Sequence, residues 1–265
     1  MFGHHHGHDL QRPAIIQPST LIAETMTTTQ HRPGVSRATT NGAVILPALN
    51  EEDVVEGLVA DIRGAVDWPV WLIDDCSTDR TAAVALQAGA RVIGLTSQLG
   101  AWGATQTGLR EAASQSLDFV VTMDADGQHD PRDIAALLEP VIAGDCDVAI
   151  GSAVERGSVL RKFAWRLMRI TSGLSCQDLT SGFRVLNAKA ISLLASPPAS
   201  CFDYQDVGVL LMLNHAGMRI REVPVTMTPR ANGKSRVFSS WLRVATYMAQ
   251  TLVLGTVKRR RPWQP

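Results

Sequence analysis

The sequence predicts an α/β fold in which a mostly parallel central sheet is flanked by helices. From Ala43 onward, short apolar runs alternate with longer amphipathic segments, an order typical of parallel sheets covered on both faces. Carboxylates stand directly after two of these runs, at strand ends where such sheets bind ligands. The chain has 265 residues, 45% of them hydrophobic, and is long enough to bury one large core.

The first part of the chain is predicted to contain four strands and three helices. The strands are 43–50, 69–75, 90–95 and 117–124. Pro47 is expected to stop the first of them, because proline cannot donate a ladder hydrogen bond. The helices are 51–66, with apolar residues at helical spacing, 77–89, begun by Ser77 or Thr78 and ended by Gly89, and 99–116.

The second part is predicted to be richer in helix. Asp130 and Pro131 have the residue types that begin a helix, here 130–144. The elements expected after it are a strand at 146–152, a cationic amphipathic helix at 156–175, a turn and helix at 178–196, a helix at 203–218 and a strand at 218–230.

Composition and charge narrow the classes of function. The chain carries 25 basic and 25 acidic residues, a balance that argues against wholesale nucleic-acid binding. Four widely spaced cysteines predict neither a zinc site nor a disulfide framework, and we expect buried thiols in a reducing cytoplasm. Residues 1–40 lack a signal-peptide pattern and are predicted to form a disordered tail. A single domain is predicted over 41–238.

The C-terminal segment 239–265 has a different character. Its uncharged run from Val244 to Val257 is 14 residues long, short of the roughly 20 that span a bilayer. Tryptophans and a Lys-Arg cluster flank this run, a pattern typical of an interfacial helix. We therefore expect peripheral contact with the inner face of the cell membrane through residues 241–265. The alternative is a terminal helix docked on the core with a solvated basic tail.

The stretch TMDADGQHDP follows the fourth predicted strand and concentrates carboxylates. Asp124 and Asp126, one residue apart after a strand, have the oxygen ligands that a hard divalent cation prefers. The spacing alone occurs often by chance in surface turns. A second pair, Asp74 and Asp75, ends an earlier strand, which favours a shared crevice over a turn. Neither a P-loop nor a GxGxxG motif is present.

These residues, with others in the same order, resemble family 2 glycosyltransferases. The motifs that carry the resemblance are VILPALNEE, LIDDCSTDRT, QLGAWGATQTGL, TMDADGQHDP, DLTSGFR, and REVPV followed by RANGKSR. They cover about residues 43–237 and are most similar to polyprenyl-phosphate sugar synthases. The resemblance implies a GT-A fold, with a Rossmann-like nucleotide-binding half and an acceptor half. It also implies inverting transfer of a hexose from a UDP- or GDP-sugar to a polyprenyl phosphate, with Mg²⁺ or Mn²⁺.

The resemblance also implies roles for individual residues. The nucleotide-sugar pocket would comprise Pro47, Leu49, Asn50, Glu52, Asp75, Gln98, Gly103, Asp124, Ala125 and Asp126. Asp75 would contact the base, and Gln98 and Gly103 would lie in the loop that closes over the nucleoside. The metal ligands would be Asp124, Asp126 and Gln128. The groups gripping phosphates would be Gln128, Arg156, Arg161, Arg166, Arg184, Arg230 and Lys234. Asp178 would be the general base or a neighbour of the acceptor phosphate; alternatively, it caps the helix after it.

Four departures from the family pattern concern the donor and acceptor. Ala153 stands where relatives commonly carry a phosphate-binding arginine, Gln98 where Asn is usual, Gln106 where a basic residue is frequent, and Asp206 where Glu is often found. Other functions stay open: transfer to a soluble glycan or small metabolite, nucleotidyl transfer, or nucleotide-sugar binding without catalysis. A nucleotidyltransferase would be expected to have a glycine-rich first loop with a basic residue, which PALNEE lacks.

Overall fold

The computed structural model describes residues 41–153, 176, 178, 180–202 and 207–228. The expectations for the tail at 1–40, the helix at 156–175 and the C-terminal segment 239–265 therefore lie outside the described residues.

One sheet runs through the described part of the chain. Its seven strands are β1 (Gly42–Ala48), β2 (Val70–Asp74), β3 (Arg91–Gly94), β4 (Phe119–Thr122), β5 (Val148–Ser152), β6 (Arg184–Asn187) and β7 (Ile220–Pro224). Their spatial order is β3-β2-β1-β4-β6-β5-β7. Neighbours are parallel except where β6 pairs with β4 and with β5. The predicted mostly parallel sheet is confirmed.

Helices cover both faces of this sheet. In the described residues they are α1 (Val55–Ala65), α2 (Thr81–Gln87), α3 (Gly100–Ser114), α4 (Ile134–Ile142), α5 (Ala188–Ala195) and α6 (Val207–His215), with 3₁₀ turns at Pro131–Asp133 and Pro197–Cys201. One apolar core contains Ile62 of α1 and Leu137 of α4. The other contains Leu109 of α3, Ile191 of α5 and Leu210 of α6. Each face of the sheet thus has its own core.

Pro47 does not stop the first strand, contrary to the prediction. β1 continues to Ala48, and Pro47 is in register with Ile73 of β2. The Ile45 carbonyl accepts from Met123 N (3.1 Å), so odd-numbered residues of β1 direct their backbone polar groups toward β4. β4 ends at Thr122, so no β4 strand residue lies beside Pro47. The missing N–H of Pro47 therefore removes no hydrogen bond between β1 and β4.

Strand β6 was missed in the sequence, where 178–196 was predicted as a turn and a helix. Four residues form it, and Arg184, Val185 and Leu186 are all buried. A run this short and buried on both faces lacks strand alternation and merges with the apolar pattern of the next helix. The Asn187 side chain marks the boundary, because its Oδ1 accepts from Ala190 N (3.0 Å) and caps α5.

Three side chains of helix α3, one turn apart, bind the end of α5 and the segment that follows it. Trp102 Nε1 donates to the Ala199 carbonyl (2.9 Å), and Arg110 Nε donates to the Ala195 carbonyl (3.2 Å). Between them, buried Gln106 donates from Nε2 to the carbonyls of Leu194 (3.0 Å) and Ser196 (3.2 Å). The neutral amide, where the family pattern led us to expect a basic residue, satisfies backbone acceptors that end α5.

Replacing Gln106 with alanine is expected to lower the free energy of unfolding by about 1–3 kcal/mol, because two carbonyls at the end of α5 lose their donor. Urea unfolding followed by circular dichroism measures the change. The matched control is Gln115→Ala just after the same helix, where the side chain is exposed and donates to Glu111 Oε1 (2.8 Å) at the surface. Equal midpoints for the two variants would contradict a stabilising role of Gln106.

Candidate active site

Two loops at the carboxyl edge of the sheet are joined by hydrogen bonds. After β1, Asn50 has a left-handed backbone (φ 52°); its N–H donates to Ser77 Oγ (2.9 Å) and its Oδ1 accepts from Thr78 N (2.7 Å). Glu51 N donates to Thr81 Oγ1 (2.8 Å). Asn can adopt positive φ because its short side chain bonds locally. Asn50, predicted in the nucleotide pocket, thus also holds the β1–α1 loop against the β2–α2 loop.

A second pair of contacts extends this junction. Glu52 N donates to Asp79 Oδ2 (3.3 Å), and Arg80 N donates to Glu52 Oε2 (2.9 Å). Burial alone would raise the pKa of Asp79, but hydrogen bonds from the Thr81 hydroxyl and from the backbone of Thr81 and Glu52 outweigh it, and the pKa lies below its usual value. Asp79 is therefore an anionic acceptor at neutral pH. Ser77 was predicted only as a residue that begins the second helix, which in fact begins at Thr81, and Asp79 and Thr81 were given no role, because partners about 27–30 residues apart leave no local signal.

Asp75 anchors the start of helix α3. Its side chain is buried, Oδ1 accepts from Leu99 N (2.6 Å) and Oδ2 accepts from Gly100 N (2.9 Å). A carboxylate at the N-terminus of a helix satisfies orphan N–H groups and matches the positive end of the dipole. Each oxygen retains acceptor capacity, so the predicted contact with a base is compatible with this geometry.

Replacing Asp75 with alanine is expected to lower the free energy of unfolding by about 1–3 kcal/mol, because two N–H groups lose a charged acceptor. Thermal unfolding should shift down by about 2–4 °C per kcal/mol for a domain of this size. The control is Asp74→Ala, next in sequence, whose carboxylate accepts a longer hydrogen bond from Ser77 N (3.2 Å). An unchanged melting temperature for Asp75→Ala would contradict the anchoring role.

The acidic loop after β4 packs against the first loop. Gly127 has a left-handed backbone (φ 71°), and a Cβ placed there would lie 2.8 Å from Val54 Cγ1, directly before α1. Only glycine suits this position. Asp124 and Asp126 are half-buried and Ala125 between them is buried. Because β1 lies between β2 and β4, the strand ends that carry the two aspartate pairs are about 10 Å apart.

Residues after β7 fasten the same acidic loop from its other side. Gln128 N donates to Asp126 Oδ1 (3.1 Å), which orients that carboxylate. The Gln128 carbonyl accepts from Thr228 N (2.8 Å), and Gln128 Nε2 donates to the Thr228 carbonyl (3.3 Å). Thr226 N donates to Asp133 Oδ2 (2.8 Å). Because these hydrogen bonds engage its amide nitrogen, Gln128 keeps its side-chain oxygen, Oε1, to bind a metal ion.

His129 and Asp130 complete the acidic stretch with structural contacts. The His129 ring is buried, packs on Phe183 (centroids 5.2 Å apart), and its backbone bridges Met227. Asp130 caps the 3₁₀ turn through Arg132 N (2.9 Å) and forms an ion pair with the Arg132 guanidinium (2.5 Å). That pair, led by the side-chain hydrogen bond, holds the pKa of Asp130 below its usual value. The prediction that Asp130 and Pro131 begin the next helical segment is confirmed.

Asp178 lies buried next to strand β7. Its N–H donates to Glu222 Oε1 (2.7 Å), and its Oδ1 accepts from the N–H and the hydroxyl of Thr180 (both 3.1 Å). The segment continues into β6, so the alternative that Asp178 caps a following helix is wrong. Arg184, also buried, donates from Nε to the Ser181 carbonyl (2.9 Å).

The cysteines differ in exposure. Cys146 and Cys176 are buried, but Cys76 is half-buried and Cys201 is exposed, so the expectation of four buried thiols is wrong for these two. Cys201 closes the 3₁₀ turn at the surface. Burial, and next to it the charge of Glu222, raises the pKa of the Cys176 thiol to about 11. All four are free, as expected.

The remaining predicted residues divide into those near this edge and those outside the described part. Pro47 and Leu49 are half-buried at the end of β1. Gln98 is exposed just before α3, whereas Gly103 lies inside that helix and not in a loop; a Cβ there would lie 2.5 Å from Leu99 Cβ. The predicted phosphate-binding residues outside the described ranges are Arg156, Arg161, Arg166, Arg230 and Lys234.

The acidic loop fits a divalent cation that is coordinated partly by the protein and partly by a bound substrate and water. Among the described residues, no group of three or more His, Cys, Asp or Glu side chains is arranged to hold a metal ion. Two carboxylates and one amide oxygen are hard donors, and Mg²⁺ is commonly bound by one or two carboxylates together with substrate phosphates and water. The donor set of Asp124, Asp126 and Gln128 is consistent with that mode.

The sheet order and the acidic loop after β4 define an α/β protein with a candidate metal and nucleotide site at the carboxyl edge of its sheet. The chain belongs to glycosyltransferase family 2: the family model described as "Glycosyl transferase family 2" matches residues 43–193, more than half of the chain. The predicted family and enzyme class are thereby confirmed.

Curated relatives match over most of the chain. A polyprenol monophosphomannose synthase from Mycolicibacterium smegmatis is 28% identical over 249 residues, which is 86% of this chain and 93% of the relative. An undecaprenyl-phosphate mannosyltransferase from Micrococcus luteus is 29% identical, covering 73% of this chain and 86% of the relative. The first is named for making polyprenol monophosphomannose, and the second for a mannosyl transfer that involves undecaprenyl phosphate.

Solved structures confirm the predicted GT-A fold. Glucosyl-3-phosphoglycerate synthase from Mycobacterium tuberculosis, in complex with phosphoglyceric acid, superposes with a TM-score of 0.64 at 23% identity, covering 86% of this chain and 85% of that one. The same enzyme with Mn²⁺, UDP and glucosyl-3-phosphoglycerate gives 0.63 at 22% identity, with 87% and 86% covered. Within the described part of the present chain, no helix combines the length and apolar character needed to cross a membrane.

Proposed function

We propose that this family 2 glycosyltransferase transfers a hexose from a UDP- or GDP-sugar to a polyprenyl phosphate, with inversion and with Mg²⁺ or Mn²⁺. The observation that carries the proposal is the match to relatives named for polyprenyl-phosphate acceptors along most of both chains. The carboxylates at the end of β4 support the metal requirement. The junction of the β1–α1 and β2–α2 loops supports a nucleoside pocket at the same edge.

Asp124, Asp126 and Gln128 would hold the cation, which when bound would neutralise charge on the departing nucleoside diphosphate. The acceptor oxygen forms a bond to the anomeric carbon while the bond from that carbon to the diphosphate oxygen breaks, and the diphosphate leaves with the electron pair. The hydrogen bond from Gln128 N to Asp126 Oδ1 orients one ligand before the donor arrives. Such fixed polar groups stabilise developing charge without reorganisation.

Asp178 would serve the acceptor. Its Oδ1 is oriented by Thr180, and its backbone is tied to strand β7 through Glu222. A phosphate monoester is mostly ionised at neutral pH. The Asp178 carboxylate would accept the proton from an acceptor phosphate that still carries one on its attacking oxygen. Arg184 and the arginines predicted at 156, 161, 166 and 230, with Lys234, would neutralise the phosphates.

A second candidate is transfer to a small phosphorylated metabolite. The observation that favours it is the fold similarity to an enzyme solved with phosphoglyceric acid over most of both chains. The two candidates share donor chemistry and differ in acceptor alone.

The acceptors are separated by assaying the purified chain with UDP- and GDP-hexoses, Mn²⁺ or Mg²⁺, and either polyprenyl phosphate or 3-phosphoglycerate. A thermal-shift screen first selects the donor, since a ligand at a hundredfold its Kd stabilises by about 2.7 kcal/mol. Labelled hexose extracted into organic solvent is the expected result. Product only in the aqueous phase with 3-phosphoglycerate would support the second candidate, and no transfer to either would defeat both.

Peripheral membrane attachment is part of the same proposal. Flotation with anionic liposomes compares the full chain with a chain ending at residue 240. Loss of flotation in the shorter chain, with its donor-induced thermal shift unchanged, is expected. Equal flotation of both would reject residues 241–265 as the contact.

A further inference from the structure

Strand β7 carries a carboxylate for which sequence reasoning gave no role, although its motif was recognised. Glu222 lies in the middle of β7 and is half-buried. Its Oε1 accepts the N–H of Asp178 at 2.7 Å, a contact across 44 residues. Hydrogen bonds in which the acceptor is ionised are short and strong. The segment before β6 is therefore attached to β7 through its backbone at the residue proposed to serve the acceptor.

The sheet fixes where Glu222 stands. Ile150 of β5 is in register with Glu222 on one side and with Arg184 of β6 on the other, and Arg184 is in register with Thr122 of β4. Residues directly opposite in neighbouring strands share a face of the sheet. Thr122, Arg184 and Glu222 thus lie in one row on the same face of the sheet, with the apolar Ile150 between Arg184 and Glu222.

Two further contacts fix the surroundings of that row. Thr122 Oγ1 donates to the Gly182 carbonyl (2.8 Å), and Arg184 Nε donates to the Ser181 carbonyl (2.9 Å). Buried Cys176 is close enough for the charges of both Glu222 and Arg184 to act on its thiol. Backbone groups of Asp178, Ser181 and Gly182 are therefore bound by the side chains of Glu222, Arg184 and Thr122, respectively.

We propose that Glu222 is a positioning residue for the acceptor side of the site: by binding the Asp178 N–H, it sets where the Asp178 carboxylate lies. This inference rests on the proposed function, in which Asp178 serves the acceptor. Glu222 touches neither reactant and acts through Asp178. A displacement of about 1 Å in a catalytic group can cost about a hundredfold in rate, so a single backbone contact is enough to matter.

The test compares Glu222→Ala with Glu222→Gln, because an amide oxygen can still accept the Asp178 N–H. Glu222→Ala is expected to lower kcat between about tenfold and a hundredfold, with the donor KM changed less than about twofold. Glu222→Gln should retain most of the kcat. Arg221→Ala, an exposed neighbour on the same strand paired with Asp145, is the matched control and should leave kcat unchanged.

A double-mutant cycle identifies the route of the effect. If Glu222 acts through Asp178, Glu222→Ala should cost less than about twofold in the Asp178→Asn background, because coupled residues are not additive. Losses that multiply, a KM effect without a kcat effect, or an equal loss in Glu222→Gln would each overturn the proposal.

A readout independent of turnover separates this proposal from the proposed function. Hydrogen exchange of the Asp178 amide, followed by NMR, should become faster in Glu222→Ala and stay slow in Glu222→Gln and Arg221→Ala. If the wild-type chain transfers no hexose to polyprenyl phosphate, the acceptor assignment fails while the exchange result still decides whether Glu222 holds Asp178. Unchanged exchange in Glu222→Ala would overturn the inference whatever the acceptor.

Discussion

Replacing Asp126 with alanine is expected to lower hexose transfer by about a hundredfold to a thousandfold, the range typical of losing one preorganised electrostatic group at a reacting centre. The change removes a proposed cation ligand together with the acceptor of the Gln128 N–H. Initial rates measured against Mn²⁺ concentration at saturating donor should show both a lower maximum and a higher half-saturating metal concentration.

Asp130→Ala is the matched control for Asp126→Ala, because Asp130 belongs to the same loop but points to Arg132. That variant should lose some stability from its cap and keep its metal dependence. Intact turnover in Asp126→Ala at the same Mn²⁺ concentration would show that the metal assignment is wrong.

Replacing Asp178 with asparagine is expected to lower kcat by about a hundredfold, the lower end of the range for a general base, because the acceptor phosphate is already mostly ionised. The asparagine Oδ1 can still accept from the N–H and hydroxyl of Thr180. The fold should therefore be retained, and thermal unfolding of the variant should match that of the wild type. Turnover at saturating donor and acceptor is the measurement.

Asp145→Asn provides the comparison for Asp178→Asn, since Asp145 is exposed and forms a surface ion pair with Arg221. It should retain full kcat. Near-wild-type activity in Asp178→Asn would show that Asp178 takes no part in the acceptor chemistry. Its role would then be limited to its hydrogen bonds with Thr180.

Local patterns were sufficient for most of the sheet. The strands β1 to β5 and β7 follow from apolar runs bounded by polar turns, and the helices between the first four strands follow from apolar spacing. β6 could not be found in this way, because burial of Arg184, Val185 and Leu186 leaves no alternation to read. Pro47 was misjudged because the rule against proline depends on whether a neighbouring strand is present at that level.

The location of the candidate site was predictable because the carboxyl ends of parallel strands lie at the same edge of the sheet. The grouping of the aspartate pairs after β2 and β4 on either side of β1 follows from sheet order. The partners of these groups could not be predicted, because Asp75 with Leu99, Asn50 with Ser77, and Glu222 with Asp178 are contacts across 24 or more residues. Long-range hydrogen bonds depend on tertiary placement and leave no periodic trace.

The position of β6 has a consequence for folding. The order β3-β2-β1-β4 can assemble from consecutive βαβ units, but β5 is separated from β4 by a strand that comes later in the chain. Until residues 184–187 have been synthesised, β5 cannot join the growing sheet, and neither can β7, whose partner among the described strands is β5. Pairing of β5 and β7 with the rest of the sheet therefore requires residues 184–187, and such non-local strand pairing is slow compared with local pairing. A nascent chain stopped before Arg184 would expose β5 as an unpaired edge, a species prone to aggregation.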